Sequence, residues 1–471
     1  MPPYKIPRED IVITGMSCRF AESPNPTALW KNILQQKALF SEIQADSGRR
    51  AHPQNTVFDR ICPRFGGLLK ELYACNPSDQ YFPRTINAGE NQDVFFAVQL
   101  AIDALRDSGT SISSLPTDRV SLRLGYASPF NSAAVNWMQH TVFIDQTVEI
   151  ISNFFPSADK TQIADIRKRL VNSLPEAAPY SFVSALGCAM SSWTAHLLGF
   201  AGPAFVLDAG TVSGLQTIQG AIDDLLLRRS DMALAGAIQP PLNDPILQGL
   251  SGAISFSKSE TLQSFSREAD GTLPGEGGAI FVLKRLKDAI LHNDRIYAII
   301  RSTGIAAASM DQHQRIPAPE RLARSINRAL HAADLTHDSI QLIEAHGSGV
   351  PHSDRTEMNV LQEIFNERRS TLQRIGIGTI KSNIGHTLWA SSAAGIMKAA
   401  LALYHKVLPP NAPVQKPYLS FLSAQSPIYL LKESRPWIRE SQKNPRCACV
   451  SAIDFTGTCA AAILEEYRGP K

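Results

Sequence analysis

The chain has 471 residues, 44% of them hydrophobic and 19% charged, and its formal net charge at pH 7 is +3. This composition is typical of a globular protein, and the lack of a long basic tract argues against nucleic-acid binding. No apolar run approaches the roughly 18 residues of a membrane span, and IVITGM near the start is too short for a signal-peptide core. The seven cysteines lack the spacing of metal ligands. We therefore expect reduced, mostly buried thiols (Cys188 among them), no bound metal and a cytoplasmic location.

Strands and helices alternate in the first part of the chain. The pattern predicts, in order, a strand at 11–17, helices at 26–35 and 92–108, and a strand at 120–127. Two segments interrupt this alternation. Residues 46–90 are rich in Arg, Pro, Asn and Gly and predict a long irregular insertion. Residues 130–200 predict a second, largely helical insertion at the surface or at an interface.

A strand-to-helix corner lies near the middle of the sequence, in FVLDAGTVSGLQTIQGA at 205–221. An apolar run is followed by Ala209-Gly210, which allows a sharp turn, and apolar residues then recur at helical spacing. Thr211 is therefore predicted at the start of a helix, where backbone N–H groups lack intrahelical partners. Enzymes often place a nucleophile at such a corner, because these N–H groups stabilise developing negative charge.

The same alternation continues after the corner. The pattern predicts strands at 232–238, 279–283, 297–301, 340–344, 375–380 and 449–454, and helices at 321–332 and 390–404. Strands that alternate with helices indicate mainly parallel βαβ units, so the predicted fold class is α/β. The proline-rich segment 408–417 predicts a connection that crosses the surface.

Three polar clusters follow predicted strands in this second part. They are EAHGSG at 344–349, KSNIGHT at 381–387 and DFTGT at 454–458. Because catalytic groups gather where the strands of an α/β sheet end, these clusters mark a candidate active site. Asp354 and Glu357, downstream of the first cluster, are predicted to pair with Lys381 or with an arginine.

These motifs resemble those of the β-ketoacyl synthases (ketosynthases) of polyketide and fatty-acid assembly, and the resemblance extends over nearly the whole chain. It includes ITGMSCRF near the start, ADGTLPGEGGAIFVLKRL at 269–286 and VSAIDFTGT at 450–458. The resemblance implies an α/β, thiolase-like fold: two pseudo-duplicated βαβαβαββ halves, residues 1–286 and 287–471, form a five-layered αβαβα sandwich. It also implies a dimer, and a substrate carried on the phosphopantetheine arm of an acyl carrier protein, with no covalently bound cofactor.

The resemblance also assigns roles to individual residues. The residues that correspond to the family's catalytic groups are His346, His386 and Lys381. Glu357 corresponds to the carboxylate partner of the lysine, and Phe455 to the gating phenylalanine. The positions implied to bind substrate are Phe455, Ser348, Gly457, Thr458 and Glu357. Basic residues such as Arg228, Arg229, Lys284 and Arg285 are either contacts for an acidic carrier protein or solvated surface residues.

The chain departs from the family pattern at several positions. Thr211 stands where the family has its acyl-accepting cysteine. The other departures are Val350 in place of a threonine, Asp454 and Thr456 in place of glycines, Cys459 in place of an asparagine, and ENQ at 90–92 in place of an aspartate-proline pair. A threonine hydroxyl without an adjacent base is a weak nucleophile, so we expect acyl transfer to Thr211 to be severely impaired.

Decarboxylation needs no nucleophile. It needs hydrogen bonds to the thioester oxygen, which His346 and His386 supply. The leading hypothesis is a non-elongating ketosynthase homologue that decarboxylates a malonyl-type thioester on a carrier protein. Two alternatives stay open. One is a catalytically inactive partner subunit that forms a heterodimer with an active ketosynthase and shapes its chain-length tunnel; the other is an acyltransferase that uses Thr211 as an oxygen-ester nucleophile.

Overall fold

The computed structural model describes residues 9–43, 63–70, 93–111, 115–127, 131–176, 181–307, 319–366, 374–439 and 444–469. Most of the predicted insertion at 46–90, and the ENQ segment at 90–92, lie outside the described residues. Among the helices described, none is long and apolar enough to cross a membrane.

The strands of the large sheet coincide with short apolar segments of the sequence, whereas β2, β3, β11 and β13 form two small two-stranded sheets. In chain order they are β1 Ile11–Phe20, β2 Ser41–Glu42, β3 Phe65–Gly66, β4 Val120–Gly125, β5 Ala204–Leu207, β6 Met232–Gln239, β7 Gly277–Arg285, β8 Ala298–Ala306, β9 Leu342–Glu344, β10 Ile375–Gly378, β11 Val407–Leu408, β12 Ile428–Leu430, β13 Arg435–Pro436, β14 Cys447–Ile453 and β15 Cys459–Glu465. Every residue of β6, β7, β14 and β15 is buried, as expected for strands that are covered on both faces.

The helices follow the segments of helical periodicity. In chain order they are α1 Pro26–Leu34, α2 Asp93–Asp107, α3 Ser132–Met138, α4 Ile144–Phe154, α5 Lys160–Asn172, α6 Ser181–Ala185, α7 Gly187–Leu198, α8 Ser213–Leu226, α9 Asp244–Ser251, α10 Leu286–Leu291, α11 Pro319–Ala333, α12 Pro351–Asn366, α13 Lys381–Ile384 and α14 Ser391–His405. Helices α3 to α7 form the predicted insertion at 130–200. Local signals set some of the ends: Asn25 caps α1 by accepting a hydrogen bond from the N–H of Ala28, next to a proline at the first helical position.

The strand order shows the duplication. Within the described part of the chain, eleven strands form one sheet in the order β12-β10-β9-β14-β15-β8-β1-β7-β6-β4-β5. The run β5-β4-β6-β7-β1 has two parallel pairs followed by two antiparallel pairs. The run β10-β9-β14-β15-β8 repeats that order and those directions. Antiparallel pairing of β1 with β8 joins the two runs. The duplicated thiolase-like α/β fold is therefore confirmed, whereas the boundary at 286 stays a prediction.

Two buried helices lie between the halves. Helix α8 contacts β6 and β15, helix α14 contacts β7 and β14, and the two helices pack against each other. Their contact is close at Gly214, where an added Cβ would lie 2.7 Å from the backbone nitrogen of Ala393. Helix α2 covers β1 and β7 in the first half, and α11 covers β8 and β15 in the second. These contacts give the five αβαβα layers, and they place the start of α8 beside the loops of the second half.

The structure corrects three expectations about exposure. The predicted surface crossing at 408–417 holds for residues 413–416, which are exposed or half-buried, whereas residues 409–412 are buried and Asn411 accepts a hydrogen bond from the backbone of Thr379. Cys188 is exposed, since it lies on the outer face of α7, whereas Cys18, Cys447, Cys449 and Cys459 are buried free thiols. The third correction concerns two basic residues of β7. Lys284 and Arg285 are buried and paired with aspartates, so neither is available to a carrier protein.

Candidate active site

Thr211 lies at the corner between β5 and α8, in a short 3-10 turn over Gly210–Val212. Its side chain is fully buried. The hydroxyl donates to the carbonyl oxygen of Ile453 at 2.5 Å, and the backbone N–H donates to Oδ1 of Asp454 at 3.0 Å. Both polar donors of Thr211 are therefore satisfied by the last residue of β14 and the first residue after it, and no base contacts the hydroxyl among the described residues.

A second side chain stabilises this corner. Oδ1 of Asp208 accepts hydrogen bonds from the backbone N–H of Gly210 at 3.0 Å and from the indole N–H of Trp389 at 2.8 Å. Trp389 lies in the turn between His386 and α14, so this contact joins the corner to a histidine loop. The sequence analysis did not assign a role to either residue.

His346 lies in the loop after β9 and is buried. Its ring Nδ1 accepts a hydrogen bond from the backbone N–H of Ile453 at 3.3 Å. Because Nδ1 accepts, the proton of the neutral imidazole is on Nε2. Burial, and then the charge of Lys381, lower the pKa of His346 well below its usual value, so the ring is neutral at physiological pH.

His386 lies in the loop after α13 and has the same tautomer. Its Nδ1 accepts a hydrogen bond from the backbone N–H of Leu388 at 3.2 Å, which leaves the proton on Nε2. Burial, and then the charge of Lys381, again lower the pKa well below its usual value. The Nε2 atom is buried and has no hydrogen-bond partner among the described residues. A buried donor without a partner is unfavourable, which marks this N–H as a candidate contact for substrate.

The two imidazoles lie side by side. Their ring centroids are 5.4 Å apart and the ring planes are inclined by 75°. Each ring uses Nδ1 to accept a backbone N–H, and neither Nε2 has a hydrogen-bond partner in the described part of the chain. The sequence separates the two histidines by two helices and a strand, α12, β10 and α13, and the structure brings them together as predicted.

Glu357 and Lys381 position His346 through its backbone. Glu357 accepts the N–H groups of His346 and Gly347, each at 2.8 Å, and the hydroxyl of Ser451 at 3.0 Å. Nζ of Lys381 donates to the carbonyl oxygen of His346 at 2.7 Å. The predicted pairing of Glu357 with Lys381 is electrostatic and not a direct salt bridge: no salt bridge joins them among the described residues, but the charge of Glu357 raises the pKa of Lys381 against the larger lowering by burial. Burial raises the pKa of the Glu357 carboxyl and lowers the pKa of the Lys381 ammonium group.

Asp354 and Ser348 also form their hydrogen bonds with other groups of the protein. Asp354 accepts the hydroxyl of Ser348 at 3.0 Å and the backbone N–H of Phe265 at 2.9 Å, and it pairs with no lysine or arginine among the described residues. The prediction that it pairs with a basic residue is therefore wrong. Burial raises the pKa of Asp354 to about 6. Since the Ser348 hydroxyl is donated to this carboxyl, its assignment as a substrate contact stays a prediction without support from the geometry.

The C-terminal loop joins β14 to β15 beside both histidines. The Phe455 ring stacks on His386, with centroids 5.8 Å apart and planes inclined by 27°, and is 42% exposed. This position suits the predicted gate. Asp454 and Thr458 close the loop by a hydrogen bond between their backbones, and Gly457 has a positive φ of 88°. Gly457 and Thr458 thus shape the loop, and their contact with substrate stays a prediction.

A buried ion pair next to the histidine loops was not predicted from the sequence. Nζ of Lys398 is 2.8 Å from Oε2 of Glu344, and both side chains are 2% exposed. The other oxygen of Glu344 accepts the backbone N–H of Ile380, just before Lys381. A lysine within the apolar sequence of α14 was the available signal, because a buried ammonium group requires an anionic partner. Among the described residues, no His, Cys, Asp and Glu cluster could hold a metal ion.

Family models match most of the chain. The model of the β-ketoacyl synthase N-terminal domain matches residues 8–289, and that of the C-terminal domain matches residues 297–415. Among curated proteins, a mycocerosic acid synthase-like polyketide synthase of Mycolicibacterium smegmatis is 29% identical over 461 residues, which is 97% of this chain and 20% of the relative. Polyketide synthase PksL of Bacillus subtilis is 28% identical over 474 residues, covering 99% of this chain and 9% of the relative. The chain thus spans a fifth or less of these relatives.

Solved structures show the same fold. A ketosynthase domain of oxazolomycin assembly from Streptomyces albus superimposes with a TM-score of 0.81 at 23% identity, covering 98% of this chain and 75% of that one. The ketosynthase from module 6 of the bacillaene synthase of Bacillus subtilis superimposes with a TM-score of 0.79 at 25% identity, covering 98% of this chain and 73% of that one. These likenesses show the fold, and the two domain models establish that the chain belongs to the β-ketoacyl synthase family.

Proposed function

We propose that this chain is a non-elongating ketosynthase homologue that decarboxylates a malonyl-type thioester carried on the phosphopantetheine arm of an acyl carrier protein. The observation that carries the proposal is the pair of neutral imidazoles, 5.4 Å apart, whose Nε2–H groups have no protein partner among the described residues. The cytoplasmic location expected from the sequence stays a prediction.

The two imidazoles suit the charge that develops in this reaction. The bond between the α-carbon and the carboxylate breaks, carbon dioxide leaves, and the electron pair moves to the thioester oxygen as an enolate. Donation from His346 Nε2–H and His386 Nε2–H stabilises that oxygen, and a proton from water then completes the acetyl-type product. Neutral donors at this position require no change of protonation, because burial already keeps both rings uncharged.

Thr211 explains why the same site is expected not to elongate a chain. Condensation requires an acyl group on the residue at position 211, and a threonine needs an adjacent base to attack a thioester. The Thr211 hydroxyl instead donates to Ile453, and the described residues include no base in contact with it. The same contact argues against the alternative in which Thr211 forms an oxygen ester as an acyltransferase, and a mass increase on Thr211 after incubation with acyl-carrier would contradict this view.

The decisive experiment incubates the chain with malonyl-carrier protein and follows loss of carbon dioxide by mass spectrometry of the carrier. The wild type is expected to convert malonyl-carrier to acetyl-carrier, and His346→Ala to lower the rate roughly 10²–10³-fold, as for loss of one oxyanion donor. His292→Ala, which alters an exposed histidine, is the matched control. No carbon dioxide release by the wild type, or equal rates in wild type and His346→Ala, would exclude the proposal.

A second candidate function is that of a non-catalytic partner subunit, and exposed apolar side chains favour it. Phe154, Phe155, Phe182 and Phe205 are each at least half exposed, at 77%, 63%, 50% and 52%. Phe205 lies on β5, the terminal strand of the described sheet. Such a surface suits a dimer of this chain or a heterodimer with an active ketosynthase. Co-purification with a cysteine-containing ketosynthase would favour the heterodimer, and a homodimer that decarboxylates malonyl-carrier would favour the catalytic proposal.

A further inference from the structure

Asp454 joins the C-terminal loop to the corner of the first half. The residue directly follows β14 and is 6% exposed. Oδ1 accepts the backbone N–H of Thr211 at 3.0 Å, and Oδ2 accepts the backbone N–H and the hydroxyl of Thr456 at 2.9 and 2.6 Å. The carboxylate therefore makes one hydrogen bond across the site and two within its own loop, which fix its orientation.

The carboxylate also lies directly against the backbone of the corner. A Cβ added at Gly210 would be 1.8 Å from Oδ1 of Asp454 and 2.6 Å from its Cγ. Gly210 has a positive φ of 57°, so the corner accommodates this close approach only because residue 210 has no side chain. Asp454 thus fills the space immediately beside the N–H of Thr211.

We propose that Asp454 is an internal blocking residue for acyl transfer. Its carboxylate accepts the hydrogen bond of the Thr211 backbone N–H, which is the donor that would otherwise stabilise an oxyanion formed at position 211. Two substitutions, and not one, then keep this chain from accepting an acyl group. Thr211 removes the nucleophile, and Asp454 removes the stabilisation of the intermediate. The inference concerns acyl transfer alone and holds whether or not the chain decarboxylates malonyl-carrier.

The physical argument follows from the charge of the tetrahedral intermediate. When a side chain at position 211 attacks a thioester, the carbonyl oxygen becomes an anion that needs N–H donors at about 2.7–3.1 Å. The N–H of Thr211 already donates to a carboxylate at 3.0 Å. A carboxylate at this distance also repels the developing anion, because like charges in a buried site interact strongly. Restoring a thiol at position 211 therefore leaves the intermediate without its donor.

The experiment compares Thr211→Cys with the double variants Thr211→Cys/Asp454→Gly and Thr211→Cys/Asp454→Asn. The probe is the acetyl thioester of N-acetylcysteamine, which requires no carrier docking. The introduced thiol attacks the carbonyl carbon and forms a new C–S bond. The bond to N-acetylcysteamine breaks, and the leaving thiolate takes up the proton that the attacking thiol has lost. Peptide mass spectrometry measures acetylation of the peptide containing position 211, apart from the exposed Cys188.

We expect Asp454→Gly to raise the acetylation rate of the Thr211→Cys protein at least tenfold and at most roughly 10²–10³-fold, which is the full effect of one oxyanion donor. Asp454→Asn, which removes the charge but keeps an acceptor oxygen, is expected to give an intermediate rate and covers the case in which the glycine variant fails to fold. Asp118→Asn in the same Thr211→Cys background changes the net charge equally at an exposed position, and is expected to have no effect.

A second reagent separates stabilisation of the oxyanion from access to the thiol. Iodoacetamide alkylates thiolates without forming an oxyanion, and its pH profile gives the thiolate fraction at position 211. The expected gain in acetylation persists after correction for that fraction. Equal acetylation rates in Thr211→Cys and both double variants would overturn the proposal. The proposal would also be overturned if substituting Asp454 raised the acetylation rate and the alkylation rate by the same factor. Asp454 would then control only access to the thiol or its ionisation.

Discussion

The corner at Thr211 and the loops of His346 and His386 are parts of one site, yet their polar groups are satisfied in opposite ways. At the corner, the hydroxyl of Thr211 donates to the last residue of β14, and its N–H donates to Asp454 in the loop that follows. At the histidines, the protein satisfies only Nδ1 of each ring, and it leaves Nε2 of His386 buried without a partner.

Under the proposed function, this difference explains how a ketosynthase fold keeps one partial reaction and loses another. Donors that the protein has already satisfied are not available to stabilise charge on a substrate, whereas an unsatisfied buried donor gains free energy when a substrate oxygen arrives. Under the proposed function, acyl transfer depends on the corner and decarboxylation on the histidines, so substitutions can separate the two reactions. The following predictions test that separation, from the largest expected effect to the smallest.

Removing the free donor is expected to have the largest effect. His386→Ala should lower the rate of carbon dioxide release from malonyl-carrier roughly 10²–10³-fold, because the enolate oxygen loses one of its two donors. His386→Gln, which keeps an N–H donor, should recover part of that loss. The measurement is the initial rate of acetyl-carrier formation at saturating substrate. Equal rates in the alanine and glutamine variants would mean that donation by residue 386 does not matter.

Removing the Glu357 carboxylate should reduce stability strongly. Glu357→Ala leaves the buried N–H groups of His346 and Gly347 without acceptors, at about 1–3 kcal/mol each. We expect a loss of about 3 kcal/mol in the free energy of unfolding, measured by urea denaturation. Glu363→Ala, at an exposed position of the same helix, is the control and should change stability by less than about 0.5 kcal/mol. Similar losses in the two variants would contradict the role assigned to Glu357.

Removing the Thr211 hydroxyl should affect stability and not decarboxylation. Thr211→Val leaves the carbonyl of Ile453 without its donor, so we expect a loss of about 1 kcal/mol in the free energy of unfolding. The rate of carbon dioxide release should change less than about threefold. Thr27→Val, at an exposed site on α1, is the matched control for the exchange of hydroxyl for methyl. A large fall in the rate for Thr211→Val would show that the corner takes part in decarboxylation.

The pH titration of the two histidines has the smallest expected effect, and it tests their protonation state directly. In the folded protein the pKa values of His346 and His386 lie well below the usual value, whereas unfolded histidines titrate near pH 6.5. Both rings are therefore neutral in the folded protein at pH 6.5. As the pH falls below 6.5, the unfolded chain takes up protons that the folded protein does not bind, so the free energy of unfolding decreases. NMR of ¹³C-labelled histidine, assigned with His346→Asn and His386→Asn, should show both midpoints well below 6.5. Midpoints at or above 6.5 would contradict neutral donors.

The sequence predicted those features that depend on local pattern. Apolar segments of strand length marked β6, β7 and β14, and the motifs at the ends of β9 and β10 placed His346 and His386 in one site. Features that depend on which groups meet in space were not predicted. Glu357 was expected to pair with Lys381, but buried backbone N–H groups compete for its oxygens and take both. Asp454 stood out as a substitution for glycine, yet its contact with a residue 243 positions away could not be read from spacing.

The hydrogen bond between Trp389 and Asp208 gives this site an intrinsic optical reporter. An indole whose N–H is held by a carboxylate changes its emission when that contact breaks or when the surroundings lose water. Because this hydrogen bond joins the corner to the histidine loop, the fluorescence of Trp389 responds to changes in the distance between the corner and that loop. Stopped-flow mixing with malonyl-carrier can then time the arrival of substrate without a label, and Trp389→Phe identifies which part of the signal belongs to it.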